Sequence, residues 1–346
     1  MIFLILLPLI FLILSDIRID SRISLIVFII LVSLAYIFID QSIAIDRQSY
    51  FDNYHYKYDK DFLTGGRDWG FVILTKGLSF LFDHQKIYSF FLMSIVAFFI
   101  GMIVQRISKD CNPNIFFLVM AALFSDRLFI DLLFNSTRAA LSIAILIFGL
   151  VSYRHYKNIF SIISLSIHTI ICLFHIAIIV ASKQIEKFLT FIKFIFLLSL
   201  VYMTFRTLVD YDLTTNFLNS LVFYLGITNS GWLEAINRNY DRSSVLSISY
   251  LAQVWILILP ILIYIFYPNC FIHSLREGFR ENKFHSIFFI SIFLAAISNI
   301  VYPDIQVFNR FLLLVSVPFL IFLKREILYL VIVLKILAIL FSNFIF

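Results

Sequence analysis

One polar stretch of the sequence, from Asp40 to Phe71, mixes carboxylates with aromatic side chains. Carboxylates accept hydrogen bonds from hydroxyl groups, and aromatic faces pack against the apolar face of a sugar ring. The mixture predicts a surface that binds an oligosaccharide; the alternative is a solvated loop whose aromatic residues belong to the membrane-interface belt. The residues concerned are Asp40, Asp46, Asp52, Asp59, Asp61 and Asp68, together with Tyr50, Tyr54, Tyr56, Tyr58 and Trp69.

A second polar cluster, SDRLFIDLLFNSTR at positions 125–138, lies between two hydrophobic runs. Ionisable groups this close to a membrane core are costly unless they pair or serve a ligand. Arginine is well suited to bidentate phosphate recognition, so we interpret Arg138, which follows Asn135 and opens a predicted helix, as a phosphate-binding residue. The alternative is an Asp131–Arg138 ion pair that stays hydrated at the membrane interface.

Three further parts of the chain carry candidate residues. The loop at about 206–247 repeats the aromatic, carboxylate and guanidinium mixture, and Arg310 in VFNRFLLL begins a predicted helix as an anchor or a site residue. His168 is a candidate for acid–base chemistry or polar gating. On one continuous helix it would share a face with His175, seven residues on, but no nearby cysteine or carboxylate completes a metal site, so none is predicted. The loop residues are Trp232, Glu234, Arg238, Tyr240, Asp241 and Arg242.

The chain that carries these residues is too apolar for a soluble fold. Hydrophobic residues make up 62% of the chain and charged residues 14%, with a mean hydropathy of +0.98. Soluble domains average about 45–50% apolar residues and about 25% charged residues. The net charge of +6 fits basic cytoplasmic loops rather than nucleic-acid binding. The sequence therefore predicts an all-α, polytopic integral membrane protein, a single multi-span domain over 1–346.

Apolar runs of about 17–25 residues can cross the bilayer as helices, which predicts about 10–11 transmembrane helices. The glycines around 65–77 predict tight turns before an interfacial helix at 70–82. Lys193 and Lys335, each inside an apolar run, are expected to snorkel or to face the bundle. The apolar segments are 2–14, 23–39, 87–105, 114–131, 139–152, 159–181, 188–205, 248–267, 284–302, 307–323 and 327–346.

Short basic loops mark the cytoplasmic side. They place the loop at about 40–86 and the turn at 126–138 outside. They also place the loop at about 206–247 outside, provided that 159–181 does not cross the membrane once. A single crossing there would put every later basic loop on the outer face. A re-entrant or broken helix near 159–181, with both ends cytoplasmic, resolves this conflict and is the prediction here. The basic loops contain Arg18 and Arg22, Arg106 and Lys109, Arg154 and Lys157, Arg276, Arg280 and Lys283, and Lys324 and Arg325.

Taken in order, these motifs resemble the EpsG-like branch of the Wzy-type O-antigen and exopolysaccharide polymerases. The resemblance spans about 46–311, and the chain departs from it by having Asp68 where Glu is common and Phe311 where Tyr-Phe is common. The matching elements are D-R-x-x-Y (Asp46, Arg47, Tyr50), [DE]-x-G-F (Asp68, Gly70, Phe71), N-x-x-R (Asn135, Arg138), a polar stretch with His168, and a late helix-opening arginine, Arg310.

The resemblance implies a polymerase of the bacterial inner membrane, active on the periplasmic face, that joins undecaprenyl-diphosphate-linked oligosaccharide repeat units and releases undecaprenyl diphosphate. It implies guanidinium groups that stabilise the departing diphosphate, from Arg47, Arg138 and Arg310. Asp46 or Asp68 would be the general base, with His168 as the next candidate. Tyr50, Trp69, Asn135 and Arg242 would contact substrate. No cofactor is expected; a chain-length regulator and a flippase of the same pathway are possible partners.

Two other classes remain open from the sequence. A lipid-linked oligosaccharide flippase or another multispan transporter would also carry Arg and Asp near membrane depth, but no internal repeat is visible and the charges gather in outer loops. A membrane acyltransferase would be expected to show a His and Arg cluster at a cytoplasmic entry, and none is evident.

Overall fold

The computed structural model of the chain consists of helices and connecting turns, with no strand in the part that it describes. That part comprises residues 2–17, 19–40, 44, 47–48, 50–52, 68–108, 115–152, 157–168, 193–201, 204, 259–263, 265–270, 317 and 319–344. The helices are α1 (Ile2–Ser15), α2 (Ser21–Phe38), α3 (Trp69–Leu81), α4 (Gln85–Ser108), α5 (Phe116–Phe124), α6 (Arg127–Asn135), α7 (Thr137–Ser152), α8 (Lys157–Ile167) and α9 (Arg325–Phe344).

Among these helices, α2 and α4 are long and apolar enough to cross a membrane. They pack against each other, and their contact includes a 2.9 Å hydrogen bond between the hydroxyls of Ser33 and Ser94. Gly101 allows the close approach, because a Cβ built there would lie 2.4 Å from a methyl group of Leu25. Small and hydroxylated residues at helix contacts are typical of membrane bundles. The predicted spans at 23–39 and 87–105 are therefore confirmed as membrane-length helices.

The predicted helix at 114–131 is not continuous in the structure. It divides into α5, which ends at Phe124, and α6, which begins at Arg127. Ser125 ends α5 by donating from its backbone N–H to Ala121 and from its hydroxyl to the carbonyl of Ala122. Serine and aspartate favour such local hydrogen bonds over helix continuation. The break falls at Asp126, in the polar cluster that the sequence placed in an external turn.

A second break separates α6 from α7, where the helix axis turns by 110° between Phe129–Asn135 and Thr137–Gly149. Ser136 donates its backbone N–H to the carbonyl of Leu132 and accepts the first hydrogen bond of α7 from Ala140. The Thr137 hydroxyl donates to the carbonyl of Leu133. This elbow, residues 135–138, is a bent span or a re-entrant turn, and it directs the start of α7.

Helices α7 and α8 form a close hairpin. The hydroxyl of Ser142 donates to the carbonyl of Ser164, and the hydroxyl of Ser164 donates to the carbonyl of Ser142, each at 2.7 Å. At the other end of the hairpin, a Cβ added to Gly149 would lie 2.4 Å from the Cβ of Phe160. The hairpin fixes the height of α8 relative to α7, and therefore the height of His168 relative to Arg138.

Side-chain contacts join several helix ends on one side of the bundle. Arg325, which begins α9, lies 3.0 Å from the carboxylate of Asp16 just after α1. Gln105, near the end of α4, donates to the carbonyl of Ser21 at the start of α2. These ends belong to the loops that the sequence assigned to the cytoplasmic side.

The core between α1, α2 and α5 is built from phenylalanine rings. The ring of Phe11 lies 5.4 Å from that of Phe124 and 5.7 Å from that of Phe28, and Phe28 lies 5.8 Å from Phe116 in an edge-to-face arrangement. Such aromatic pairs add roughly 0.5–1.5 kcal/mol beyond their buried area. The opposite faces of α1 and α2 expose large apolar residues, as expected of helices that face lipid: Ile13, Ile23, Ile26, Ile30 and Phe38.

Candidate functional site

Three of the predicted site residues meet at the ends of three different helices. The guanidinium Nη1 of Arg138 lies 2.9 Å from Oδ2 of Asp68, and Nδ1 of His168 lies 3.8 Å from Oδ1 of the same carboxylate. The longer distance exceeds a hydrogen bond, so His168 acts on Asp68 electrostatically, and only when its imidazole is protonated. The fractional side-chain exposures of 11% for Asp68, 21% for His168 and 34% for Arg138 describe a recessed but accessible group.

Asp68 stands at the N-cap of α3 without capping the helix through its side chain. An N-cap aspartate ordinarily accepts a hydrogen bond from the second or third helical N–H. Here the residue has φ 60° and ψ 34°, in the left-handed region. Among the described residues other than glycine, Asp68 alone has a positive φ. The backbone carbonyl still begins the helix by accepting from Phe71 and Val72. The carboxylate points instead to Arg138 and His168.

The start of α3 reaches α8 because residue 70 is glycine. A Cβ built on Gly70 would lie 2.1 Å from the hydroxyl oxygen and 2.8 Å from the Cβ of Ser166, distances that real Cβ atoms do not show. Ser166 is two residues before His168, so this contact brings Asp68 next to the histidine. The [DE]-x-G-F element is thus an acid followed by the glycine that lets it approach α8.

Arg138 is placed by the elbow between α6 and α7. At the first residue of the elbow, the amide Nδ2 of Asn135 donates to the carboxylate of Asp131. The alternative of an Asp131–Arg138 ion pair is therefore not observed. Asp131 accepts a hydrogen bond from Asn135, and Arg138 forms an ion pair with Asp68. In the N-x-x-R element, Asn135 stabilises the elbow through Asp131, and Arg138 extends from the elbow to Asp68.

Arg47 has contacts that give it a structural role. Its guanidinium donates to the carbonyls of Tyr36, Ile37 and Ile39 at the end of α2 and lies over the ring of Tyr36. The last carbonyls of a helix lack intrahelical donors, and a cation there also meets the negative end of the helix dipole. Its assignment as a diphosphate ligand stays a prediction.

The two aromatic candidates flank the start of α3. The ring of Tyr50 is partly buried and lies 5.4 Å from that of Phe71, edge to face. Trp69 begins α3, and its side chain is largely exposed beside Asp68. Their positions leave the ring of Trp69 on the surface, in the residue that follows Asp68.

The other predicted residues lie outside the described part of the chain. These are Asp46, Arg242 and Arg310, together with the loop at about 206–247 and the second half of the predicted re-entrant segment. For that segment the structure gives α8, which ends at Ile167. Within the described ranges, no group of three or more His, Cys, Asp or Glu is arranged to hold a metal ion.

One charged pair was not predicted from the sequence. Nζ of Lys335, in the middle of α9, lies 3.0 Å from Oδ2 of Asp126 and donates to the carbonyl of Ala122 at 3.2 Å. The side chains are 1% and 4% exposed. Lys335 therefore faces the bundle, one of its two expected positions. Its partner could not be read from the sequence, since the two residues lie 209 positions apart.

Comparisons with known proteins add no relative to this description. The chain matches no protein-family model, and the searches of curated proteins and of solved structures also give no match.

Proposed function

We propose that the protein is an oligosaccharide repeat-unit polymerase of the bacterial inner membrane, with about 10–11 membrane-spanning helices and its active face towards the periplasm. Its substrates would be two undecaprenyl-diphosphate-linked oligosaccharides, one the donor and one the acceptor. The single observation that carries this proposal is the convergence of Asp68, Arg138 and His168, three residues that were selected separately from the sequence.

The chemistry required is the replacement of one bond by another at an anomeric carbon. The acceptor hydroxyl oxygen forms the new glycosidic bond, and the bond between the anomeric carbon and the diphosphate oxygen breaks with its electron pair going to the diphosphate. The hydroxyl proton must go to a base, and the diphosphate charge must be stabilised. A carboxylate and a guanidinium in one recess supply both groups.

Arg138 is paired with Asp68 in the structure, which gives the two groups an order of action. A lipid-linked diphosphate carries more negative charge than one carboxylate and competes for the guanidinium, which is about one-third exposed. When Arg138 moves to the diphosphate, Asp68 becomes free to accept the acceptor proton. The imidazole of His168 lies 3.8 Å from the other carboxylate oxygen and would have to move to hydrogen-bond distance to take that proton onward. Donor binding would thereby expose the base for the acceptor.

The contacts between helix ends support the proposed topology. Asp16 adjoins the basic loop with Arg18, and Arg325 adjoins Lys324, so their 3.0 Å contact puts the first and last basic loops on one side. The backbone N–H of Lys324 also donates to the carbonyl of Cys270. A single crossing at 159–181 would place 324–325 on the opposite side from Arg18. A re-entrant segment there is consistent with these contacts.

The test is extension of a defined lipid-linked repeat by the purified protein carrying Arg138→Ala or Arg138→Lys. We expect Arg138→Ala to lower the rate by at least about a hundredfold, as for the loss of other oxyanion-stabilising donors. Arg138→Lys should rescue poorly, because an ammonium lacks the bidentate geometry of guanidinium. Arg22→Ala, at an exposed position in the first turn of α2 on the other side of the bundle, is the matched control and should extend normally. Normal extension by Arg138→Ala would reject the assignment.

A deletion strain separates the polymerase from the flippase alternative. Loss of the long polysaccharide ladder with a single repeat unit retained on the surface supports polymerisation, since single units still reach the outer face. Loss of every unit from the surface indicates that transport across the membrane has failed.

A further inference from the structure

The Lys335–Asp126 pair lies at the break between α5, which ends at Phe124, and α6, which begins at Arg127. Ala122, whose carbonyl accepts from Lys335, belongs to the last turn of α5. The backbone carbonyl of Asp126 accepts from Ile130 and so begins α6. The ammonium group therefore meets both the negative end of the α5 dipole and the carboxylate at the start of α6. One side chain from α9 therefore contacts both sides of the break, a carbonyl at the end of α5 and the carboxylate before α6.

Asp126 and Lys335 also lie at the same depth in the bilayer when that depth is counted in residues from the start of α5 and from the start of α9. Asp126 is ten residues after Phe116, where α5 begins, and Lys335 is ten residues after Arg325, where α9 begins. Both helices begin on the cytoplasmic side in the proposed topology, and ten residues rise about 15 Å. That is half of a hydrocarbon core of about 30 Å. Ionised groups at this depth are costly and generally mark a functional part of a membrane protein.

The break leads directly to the candidate site. From Asp126 the chain forms the nine residues of α6, turns through the elbow and presents Arg138 two residues later. Helix α6 is packed inside the bundle, with Leu132, Leu133 and Phe134 all buried. Because α6 is short and anchored at both ends, a change in direction at Asp126 would move the elbow and with it the guanidinium.

We propose that Lys335 and Asp126 are a positioning pair that sets the direction of α6 and thereby holds Arg138 at Asp68. The pair does not touch the substrate. Its role in chain extension rests on the proposed function, whereas its role in placing Arg138 does not. A pair that served stability alone would be replaceable by apolar residues, since two well-packed apolar side chains avoid the cost of burying charge.

The experiment measures the distance between spin labels at positions 73 and 139 in a variant with Cys111, Cys172 and Cys270 replaced by serine. Position 73 is on the exposed face of α3, and position 139 follows Arg138 in α7. The measurement needs no substrate, so its result stands whether or not the protein is a polymerase. Thermal unfolding and chain extension are measured in parallel on Lys335→Arg, Lys335→Met, Asp126→Leu and the double variant Lys335→Met/Asp126→Leu.

The double variant decides between positioning and stability. The single apolar variants each leave one buried charge unpaired and are expected to unfold at a lower temperature. The double variant should recover thermal stability but keep a shifted or broadened 73–139 distance, with extension at least about tenfold below the parent. Lys335→Arg, which keeps the cation, should retain the parental distance. A double variant with the parental distance and parental extension would overturn the proposal and leave the pair a purely stabilising one.

Discussion

At the scale of single residues, Asp68 combines an unfavourable backbone with an unused capping position. A left-handed conformation is uncommon outside glycine, although aspartate and asparagine tolerate it better than most residues. Giving up the side-chain cap typically costs about 1 kcal/mol. Strain and lost capping in the same residue are typical of functional positions, where the surrounding structure over-determines the geometry. This conformation places the Asp68 carboxylate between the guanidinium of Arg138 and the imidazole of His168.

The exchange of Arg138 between Asp68 and diphosphate predicts opposite effects of Asp68→Asn on binding and on turnover. Asparagine keeps the left-handed backbone and the shape of the side chain but removes the competing charge. We expect binding of a short-chain prenyl diphosphate to tighten by up to about fivefold, because a partly exposed ion pair contributes at most about 1 kcal/mol. Extension should fall by at least about a hundredfold, since the amide cannot accept the proton. Binding is measured by calorimetry and extension by gel.

Asp131→Asn is the matched control, since it removes one carboxylate from the same region but leaves the Asp68–Arg138 contact in place. It should not tighten diphosphate binding. Weaker binding in Asp68→Asn than in the parent would show that Asp68 helps to hold the donor rather than competing with it.

The sequence identified the types of residue at the site better than their contacts. Asp68, Arg138 and His168 were selected because each is an ionisable group in an apolar or aromatic setting. That Arg138 pairs with Asp68, 70 positions away, rather than with Asp131 depends on the elbow and on the approach of α3 to α8. Local spacing favours a partner within two helical turns, and no local rule reports a contact between separate helices. Lys335 and Asp126 were missed as a pair for the same reason.

At the scale of elements, the contact between α3 and α8 depends on one missing side chain. The interfacial helix predicted at 70–82 is observed as α3, one residue earlier. Its exposed apolar side chains and its length of 13 residues suit a helix that does not cross the bilayer alone. Two glycines lie in this helix, Gly70 and Gly77, and only the first is at the contact with α8.

Gly70→Ala is therefore expected to move α3 away from α8 and to separate Asp68 from His168. The added Cβ would overlap the hydroxyl and Cβ of Ser166, and overpacking of this kind typically costs about 1–3 kcal/mol. A displacement of about 1 Å at a catalytic group can lower a rate by about a hundredfold. Extension assays and thermal unfolding should show a large loss of rate beside a moderate loss of stability.

Gly77→Ala provides the comparison within the same helix. Nothing lies within 4 Å of a Cβ built there, and alanine is the better helix former. This variant should unfold at the same temperature as the parent or slightly higher, with normal extension. If Gly70→Ala matched it in both measurements, the close approach to Ser166 would not be what positions Asp68.

The helix breaks could not be predicted from hydropathy alone. The run at 114–131 is apolar enough to be interpreted as one helix, and the structure divides it at Ser125 and Asp126. Hydropathy records how apolar a segment is, not whether a distant side chain satisfies the backbone groups that a break exposes. Here Lys335 supplies that contact from the far end of the chain. The segments at 23–39 and 87–105, which pack as whole helices, were predicted closely.

At the scale of the whole molecule, the proposed topology and the helix lengths together predict that the candidate site lies inside the bilayer rather than in an outer loop. His168 is 11 residues after Lys157 and Arg138 is 14 residues before Ser152, which are the ends of α8 and α7 nearest the basic residue Arg154. At 1.5 Å per residue, the site lies at most about 16–21 Å from those ends, short of a core of about 30 Å. Charged groups at that level require water or substrate to reach them from the outer side.

That arrangement requires the turn between α3 and α4 to lie on the outer side and the start of α9 on the cytoplasmic side, which can be measured by labelling single cysteines in intact cells. His84 and Glu326 are both exposed, one between α3 and α4 and the other at the start of α9. We expect a membrane-impermeant maleimide to label a cysteine at position 84 directly and one at position 326 only after permeabilisation. The Asp16–Arg325 contact requires position 326 to share the side of the first basic loop. Direct labelling at both positions would instead indicate that 159–181 crosses once, and the last helices would then have to be reversed relative to the site.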